Sequence, residues 1–527
     1  MTSKRNRLAL ATGALLCGAT FASAQNVTIV RELESNNYDP QKTSALAAAE
    51  VFYMLGDTLV AMEPDLKTLV PGLAESWDIS QDGLTYTFTL RDDVSFCDGK
   101  PFTAADAAYS LNRLADPETQ SPAGWRAGKV ESITATDDTT LVYQLQEPYS
   151  ELLFQLTQSF ATIIDQDNVA ALGDNFGVTG LNTTGPFCWG EWKPRDEMVL
   201  TRHEGYTWGP SVYENTGPAQ VETITWEIVP EANTRVTALL TGQADLSRSI
   251  PYIAFERFRS IPEFQINKSD IAAWTEYFGM KMDRPLMQDI AVRKAMNLAF
   301  NQAAMVEDIY YDEVIPATTY MSTTTRDWNP DADPLVADYD VEAAKTMLDE
   351  AGWIAGDDGI REKDGMRLAP LFYAFTGSAP QARVEYLQAE MRKIGIDIQI
   401  DSFDPTIVWS KLATQEYDMY QMGFAYMSAG DGLNLYFRSE NMPAPNRMNW
   451  DDAETDASLD AAMRATDDEM RALETGEVIM KVSEAAVWIP IYHEPISIVQ
   501  SSRLKPVMPH SIQGTGFYKG LDIAVAE

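Results

Sequence analysis

The stretch from Val70 to Leu114, VPGLAESWDISQDGLTYTFTLRDDVSFCDGKPFTAADAAYSLNRL, decides how the rest of the chain is read. Its middle alternates without a slip. Leu84, Tyr86, Phe88 and Leu90 fall on one face, and Thr85, Thr87 and Thr89 on the other. A period of two marks a half-buried strand, and β-branched and aromatic residues suit one. Ser80-Gln81-Asp82-Gly83 is turn chemistry, with Gly83 free to take positive φ. Trp77-Asp78-Ile79 is therefore expected as the partner strand of a hairpin. A second turn is expected at Asp98-Gly99-Lys100-Pro101. Thr103 then reads as a helix N-cap, with Asp106 three residues on. None of this is catalytic.

Working outward to the N-terminus, Lys4, Arg5 and Arg7 precede an apolar run from Leu8 to Phe21, followed by Ala22-Ser23-Ala24. That order predicts a secretory signal peptide over residues 1–24, cleaved after Ala24, because the run is too short to span a bilayer. Leu16 stands before Cys17 where a lipoprotein anchor needs a small residue, so a soluble export product is expected. The chain has 527 residues and a formal net charge of −38. Such acidity argues against nucleic acid and anionic membrane surfaces, which require clustered Lys and Arg. A chain of this length implies two or three domains.

Cys97 and Cys188 remain after cleavage, in the similar phrases FCDG and PFCWG. An oxidising compartment permits a disulfide between them. A disulfide and two buried thiols fit equally, since the deciding Cα separation is not in the sequence.

Short strands are expected at Val27–Val30, Met198–Leu200 and Ile224–Ile228, and a further hairpin from Val130 to Gln146. Beyond about residue 270 helices alternate with strands. Asp289 is expected to cap a helix through Ala304, and Asp340 one from Val341 to Ala351 with Gly352 at its end. Ile396, Ile398 and Ile400 alternate as a strand, and Tyr417 to Gly423 forms the next one. Strands at Val487–Tyr492 and Ile496–Val499 are expected to return to the first domain. These units imply an α/β domain with its crevice past the strand carboxyl ends.

The chain shows no catalytic signature. Its three histidines, His203, His493 and His510, lie in no metal-binding spacing, and no nucleophile elbow or phosphate-binding loop occurs. The pairs Asp451-Asp452 and Asp467-Asp468 read as helix starts. No enzyme, cofactor or metal is expected; a secreted hydrolase is the rival from another class. One stretch does suggest a ligand contact: YDMYQMGFAYMSAGDGLNLY, Tyr417 to Tyr436. A strand rich in Met and aromatics runs into a Gly-containing loop, and Phe424 to Asp431 lie where it ends.

The opening stretch strongly resembles the family 5 extracytoplasmic solute-binding proteins, the peptide/nickel/opine receptors of ABC importers. The likeness continues at TTGPF (Thr183 to Phe187), VETITWEIVPEANTRVTALLTGQADL, RPLMQDIAVRKAMNLAFN (Arg284 to Asn301), YDVEAAKTMLDEAGW and YLQAEMRKIGIDIQI. It implies an α/β fold of the type II periplasmic binding protein kind, with two lobes closing over a ligand and a subdomain inserted in the first. Residues 25–45, 181–270 and 488–527 are expected as lobe I, 46–180 as the insert and 271–487 as lobe II. The implied partners are a small polar solute and the permease subunits of an ABC importer, and the receptor is expected in the periplasm as a monomer.

The departures bear on the solute. Peptide-binding members resemble one another in a Gly-Trp at the end of the Tyr417-type strand, with an Asp three residues after the Trp that takes the α-ammonium. Here the pair is Gly423-Phe424, and Met427 stands in the Asp position; a methionine offers a buried ammonium no partner. Ala374 aligns where dipeptide-binding relatives place a carboxylate-binding Arg. The expected site is thus Phe424, Tyr426, Met427 and Asp431, with Trp274 and Trp409 as stacking walls. Asn36, Asn37 and Thr184 are expected to contribute polar contacts from lobe I. The expected solute is a modified peptide, an opine or a sugar conjugate, with ordinary di- or oligopeptides as the alternative.

Overall fold

Two mixed sheets organise the computed structural model, which describes residues 25–335 and 338–526. The expected signal peptide lies outside the described residues. The first sheet has seven strands, ordered Phe264–Lys268, Ser497–Ser501, Leu246–Ser247, Asn26–Arg31, Thr223–Ile228, Glu197–Arg202 and Phe187–Lys193. The second has six: Ile315–Pro316, Trp488–Glu494, Trp274–Met280, Met419–Ala425, Leu371–Phe375 and Gln399–Phe403. Among the described residues no helix is long and apolar enough to cross a membrane.

The insert carries a four-stranded antiparallel sheet, ordered Ala74–Ile79, Thr85–Leu90, Thr140–Leu145, Val130–Ala135. The hairpin register sets Trp77 opposite Phe88 and Ile79 opposite Tyr86. Tyr86, Phe88 and Leu90 are buried, whereas Thr85 and Thr87 are half-buried and Thr89 exposed, as the alternation requires. Gly83 takes φ +68° in the turn. The helix Ala104–Ala115 covers the sheet, and the Thr103 amide donates to the Asp106 carboxylate at 3.0 Å. The cores of this sheet and of the seven-stranded sheet are one continuous apolar cluster. The six-stranded sheet is sandwiched instead: Phe278 and Met280 point into one core, Tyr277 into another.

Several boundaries differ from the sequence expectation. Trp488–Glu494 pairs with Trp274–Met280 in the second sheet, so of the two strands expected to return to the first only Ser497–Ser501 does. A strand buried on both faces carries no signal of which sheet it joins. The helix expected from Asp289 to Ala304 is two, Ile290–Leu298 and Gln302–Tyr310, because Asn301 caps the second by accepting from the Ala304 amide. Ile396 and Ile398 are buried but lie ahead of the strand, which runs Gln399–Phe403.

His510 gives the fold an acid-sensitive point. Its Nδ1 accepts from the Ile512 amide at 3.2 Å, so Nε2, 3.1 Å from the Met62 carbonyl, carries the proton and donates. Burial pushes the ring down to about 4, as it does for His493. The unfolded ring protonates near 6.5, so stability is lost as pH falls from about 6.5 towards 4. At pH 5 each ring costs about 2 kcal/mol. Asp522, raised to about 6 by burial, works in the opposite sense over the same window. The expected result is a Tm that drops between pH 7 and pH 5, and drops less in His510→Gln; equal drops in both proteins would remove His510 as a cause.

Candidate functional site

The carboxyl ends of the parallel strands Asn26–Arg31, Thr223–Ile228 and Leu246–Ser247 face those of Leu371–Phe375 and Met419–Ala425. Between them lies a cavity of about 920 Å³. Glu32, Pro230, Arg248 and Tyr252 line it from lobe I, and Trp274, Glu276, Arg383, Trp409 and Gly423 from lobe II. Side chains just past strand ends are where an α/β crevice receives its chemistry.

On the lobe II wall, Glu276 sits directly opposite Gly423 in the strand register. A Cβ on Gly423 would fall 2.1 Å from Glu276 Oε2 and 2.5 Å from Trp274 Nε1. The glycine therefore lets the Trp274 indole and the carboxylate lie across the neighbouring strand. Trp274 Nε1 donates to Glu276 Oε2 at 3.2 Å, and Arg383 pairs with Oε1 at 2.9 Å. Arg383 also donates to the hydroxyls of Tyr310 and Tyr492, at 2.9 and 3.0 Å. Burial opposes its charge, but Glu276 and these hydroxyls hold the guanidinium above its ordinary value. Across the seam the Tyr252 hydroxyl of lobe I donates to the Glu494 carboxylate of lobe II, whose pKa burial raises. The lining charges named here are paired, so the wall left free for a solute is aromatic.

Trp409 stands at the mouth, 49% exposed, edge-on to Phe375 and with the Arg447 guanidinium 5.0 Å from its ring. Truncating an exposed side chain hardly changes stability, whereas losing an aromatic wall costs affinity. Trp409→Ala is expected to weaken solute binding about tenfold and to leave Tm within about two degrees. An unchanged Kd by calorimetry would exclude Trp409 from the site.

A second set of charges joins the insert to lobe II. Arg126 of the insert pairs with Asp431 of lobe II at 2.7 Å, beside the lobe II pair Arg471–Asp327, also at 2.7 Å. Glu151 pairs with Arg326, whose guanidinium stacks on Phe154 at 3.5 Å. Burial raises the pKa of Glu151, against the lowering effect of Arg326. Ser150 adds a clamp, donating from Oγ to the Ala462 carbonyl at 2.9 Å.

The expected site residues divide accordingly. Trp274 and Trp409 line the cavity. Phe424 and Tyr426 do not: both pack in the lobe II core against Tyr436, with ring centroids 5.9 and 6.2 Å apart. Phe424 projects from the opposite face of its strand to Gly423, and the segment read as a loop is the helix Ala429–Phe437. Met427 is buried in an apolar cluster with Tyr53 of the insert and Tyr518 of lobe I. Asp431 belongs to the ionic seam. Asn36 is exposed, and the Asn37 side chain accepts from the Asp39 amide at 3.2 Å to close a turn; neither lines the cavity. Thr184 is buried and donates to Asp57 at 3.1 Å, a structural contact. Cys97 and Cys188 are bonded, with Cα atoms 5.8 Å apart. Their sulfurs lie beside His203, but a disulfide offers no thiolate to a metal. Sequence reasoning missed Glu276, Arg383, Arg126 and Glu151. The period of two through Trp274-Thr275-Glu276 places Trp274 and Glu276 on one face, a signal for the first; Arg383 has none.

Residues 68–443 match the model of the bacterial extracellular solute-binding proteins, family 5, middle region, and the chain belongs to that family. It is 27% identical over 467 residues to the nickel-binding periplasmic protein of Escherichia coli K12, covering 86% of each chain. It is 26% identical over 521 residues to the glutathione-binding protein GsiB of the same strain, covering 96% of this chain and 94% of the relative. The crystal structure of NikA from Brucella suis, in complex with Fe(III)-EDTA, superposes with a TM-score of 0.83 at 24% identity, covering 95% of this chain and all of that one. The fold is thus that of a type II periplasmic binding protein, and the family is one of substrate-binding components of ABC importers.

Proposed function

We propose that this chain is the periplasmic receptor of an ABC importer, capturing a small polar solute between its lobes and presenting it to the permease. The observation that carries this reading is the aromatic cavity of about 920 Å³ lined from both lobes. A solute touching both walls binds the closed arrangement more tightly than the open one, and so favours closure. No catalytic step is assigned to the paired charges around it.

The solute class favoured is a modified peptide, an opine or a sugar conjugate. Met427 is packed in an apolar cluster, and Asp431 already carries an arginine partner. A free peptide's α-ammonium thus has no carboxylate at the position peptide-binding relatives use. Relatives named as glutathione-binding support a peptide with an unusual linkage. A bare metal ion is disfavoured, because none of the three histidines lines the cavity.

Mass spectrometry of solute released from the purified mature protein tests the reading, together with thermal shifts. The solute is expected unchanged after incubation with the protein, and it should raise Tm because it binds the native state alone. Turnover would overturn the receptor in favour of a hydrolase. Strong shifts with free di- and tripeptides would instead select the peptide alternative.

A further inference from the structure

We propose that Cys97, Cys188 and His203 form a zinc site in the dithiol state of the chain, a second use of the cysteine pair that does not depend on the receptor reading above. A metal-ligating atom from each of the three lies within 4.8 Å of the others. The group stands apart from the solute cavity, which none of the three lines. Three segments bring it together, and each is pinned by its own backbone. The Cys97 amide donates to the Thr183 carbonyl at 3.0 Å, and the His203 amide to the Pro186 carbonyl at 2.9 Å. Cys188 lies in the strand Phe187–Lys193, opposite Thr201. The imidazole is also set as a metal ligand requires. His203 Nδ1 is 3.0 Å from the Gly185 carbonyl. A carbonyl only accepts, so Nδ1 carries the proton and the neutral ring keeps its lone pair on Nε2. A backbone carbonyl on one ring nitrogen is the usual support of a histidine that binds metal through the other. Trp208 stands edge-on to the ring at 5.5 Å and Tyr206 tilts against it at 6.3 Å, which fixes its plane. His203 is buried, whereas both cysteines are half-buried, so the pair lies at the edge of solvent.

Every disulfide is made from two thiols, so the chain passes through a dithiol before Cys97 and Cys188 are joined. In that state the donor set is two thiolates and an imidazole, the soft and borderline ligands that select zinc over hard cations. Two thiolates on one tetrahedral zinc sit about 3.8 Å apart. Side-chain rotation supplies that spread between residues whose Cα atoms are 5.8 Å apart. Binding releases the two thiol protons to water. Water takes the fourth position, since the group holds no further protein ligand among the described residues. Exchange with a partner protein's disulfide then removes the site. The Cys97–Cys188 bond forms, and the partner's S–S bond breaks, taking the two electrons and, from water, two protons. The zinc is left with one imidazole and departs. Cys97 belongs to the insert, and Cys188 and His203 to the seven-stranded sheet, so the ion holds the two together until the covalent bond does.

The test uses the mature protein, residues 25–527, which has no other cysteine. A phosphine reductant opens the bond: the phosphine takes oxygen from water to become its oxide, and two thiols form. Zinc or cobalt(II) is then titrated into oxidised and reduced protein against a chromophoric chelator. The reduced protein is expected to take up one zinc per chain, with an affinity at least about a hundredfold above that of the oxidised protein. Cobalt(II) should show thiolate charge-transfer bands and the visible bands of a tetrahedral ion, which carboxylates and water do not give. His203→Gln should weaken zinc about tenfold while its disulfide still forms. Equal uptake in both redox states, or cobalt without thiolate bands, would overturn the site and assign the metal to surface carboxylates. So would wild-type zinc affinity in His203→Gln, or a reduced protein, its two thiols confirmed with a thiol reagent, that takes up no metal. If the bond resists the phosphine in the folded chain, the protein is unfolded in the reductant and refolded with zinc, and the same readouts apply. The cobalt spectrum decides the matter even where the variant fails to fold.

Discussion

Replacing Cys97 and Cys188 together by serine is expected to lower the unfolding free energy of the unit they join by about 4 kcal/mol. The bond closes a sequence separation of 91 residues, and for a loop of that length the lost chain entropy of the unfolded state amounts to between roughly 4 and 5 kcal/mol. The loop contains the helix Ala104–Ala115 and the strands Val130–Ala135 and Thr140–Leu145, and it ends in the strand Phe187–Lys193, so the crosslink ties these parts of the insert to the seven-stranded sheet. Around it the native contacts stay: the Cys97 amide donates to the Thr183 carbonyl at 3.0 Å, and the two phrases FCDG and PFCWG remain side by side. The double serine variant should therefore fold and unfold at a clearly lower denaturant concentration, with the lobe II transition unmoved. A midpoint equal to that of the wild-type protein, measured without reductant, would show that the crosslink adds nothing to the packing already there.

That pairing also shows what the sequence could not disclose. The similar phrases drew attention to both cysteines, but proximity across 91 residues is a property of the fold. Local patterns were legible wherever one face is wet. The alternation of Thr85 to Leu90, the cap at Thr103 and the turn at Gly83 each follow from interactions within a few residues. Legibility fails where both faces are buried. Trp488–Glu494 and Met419–Ala425 are apolar along most of their length, so the sequence does not say which neighbour they pair with or which face carries the ligand. The strand's end points to Phe424 as a pocket residue, yet the strand's period of two turns its ring into the core and leaves Gly423 at the cavity. The aromatic walls Trp274 and Trp409 are suggested by residue type alone, whereas Arg383 and Glu151 look like ordinary helix and loop charges until tertiary structure buries them.

The same burial turns Thr184 from an expected ligand contact into part of a structural network, and makes Asp57→Ala the second large effect. Asp57 Oδ1 accepts from Lys519 Nζ at 2.6 Å and from the Tyr206 hydroxyl at 3.3 Å. Its Oδ2 accepts from Trp208 Nε1 at 3.0 Å and from Thr184 at 3.1 Å. Both charged side chains are nearly inaccessible, 3% for Lys519 and 5% for Asp57. A pair this deep contributes little net stability as a pair, but removing one member strands the other in a poorly solvated place. Asp57→Ala leaves the Lys519 ammonium without a carboxylate, with the Gly56 carbonyl at 2.7 Å and the Tyr518 ring at 5.4 Å, and is expected to cost about 4 kcal/mol. Thr184→Val removes one of four donors and is expected to cost about 1 kcal/mol. The two readings of Thr184 then separate cleanly. If it serves the Asp57 network, the valine variant loses stability while the Kd for the solute stays at the wild-type value. A variant with wild-type stability and weakened binding would return Thr184 to the ligand site, and would require the solute to reach past Trp274 into lobe I.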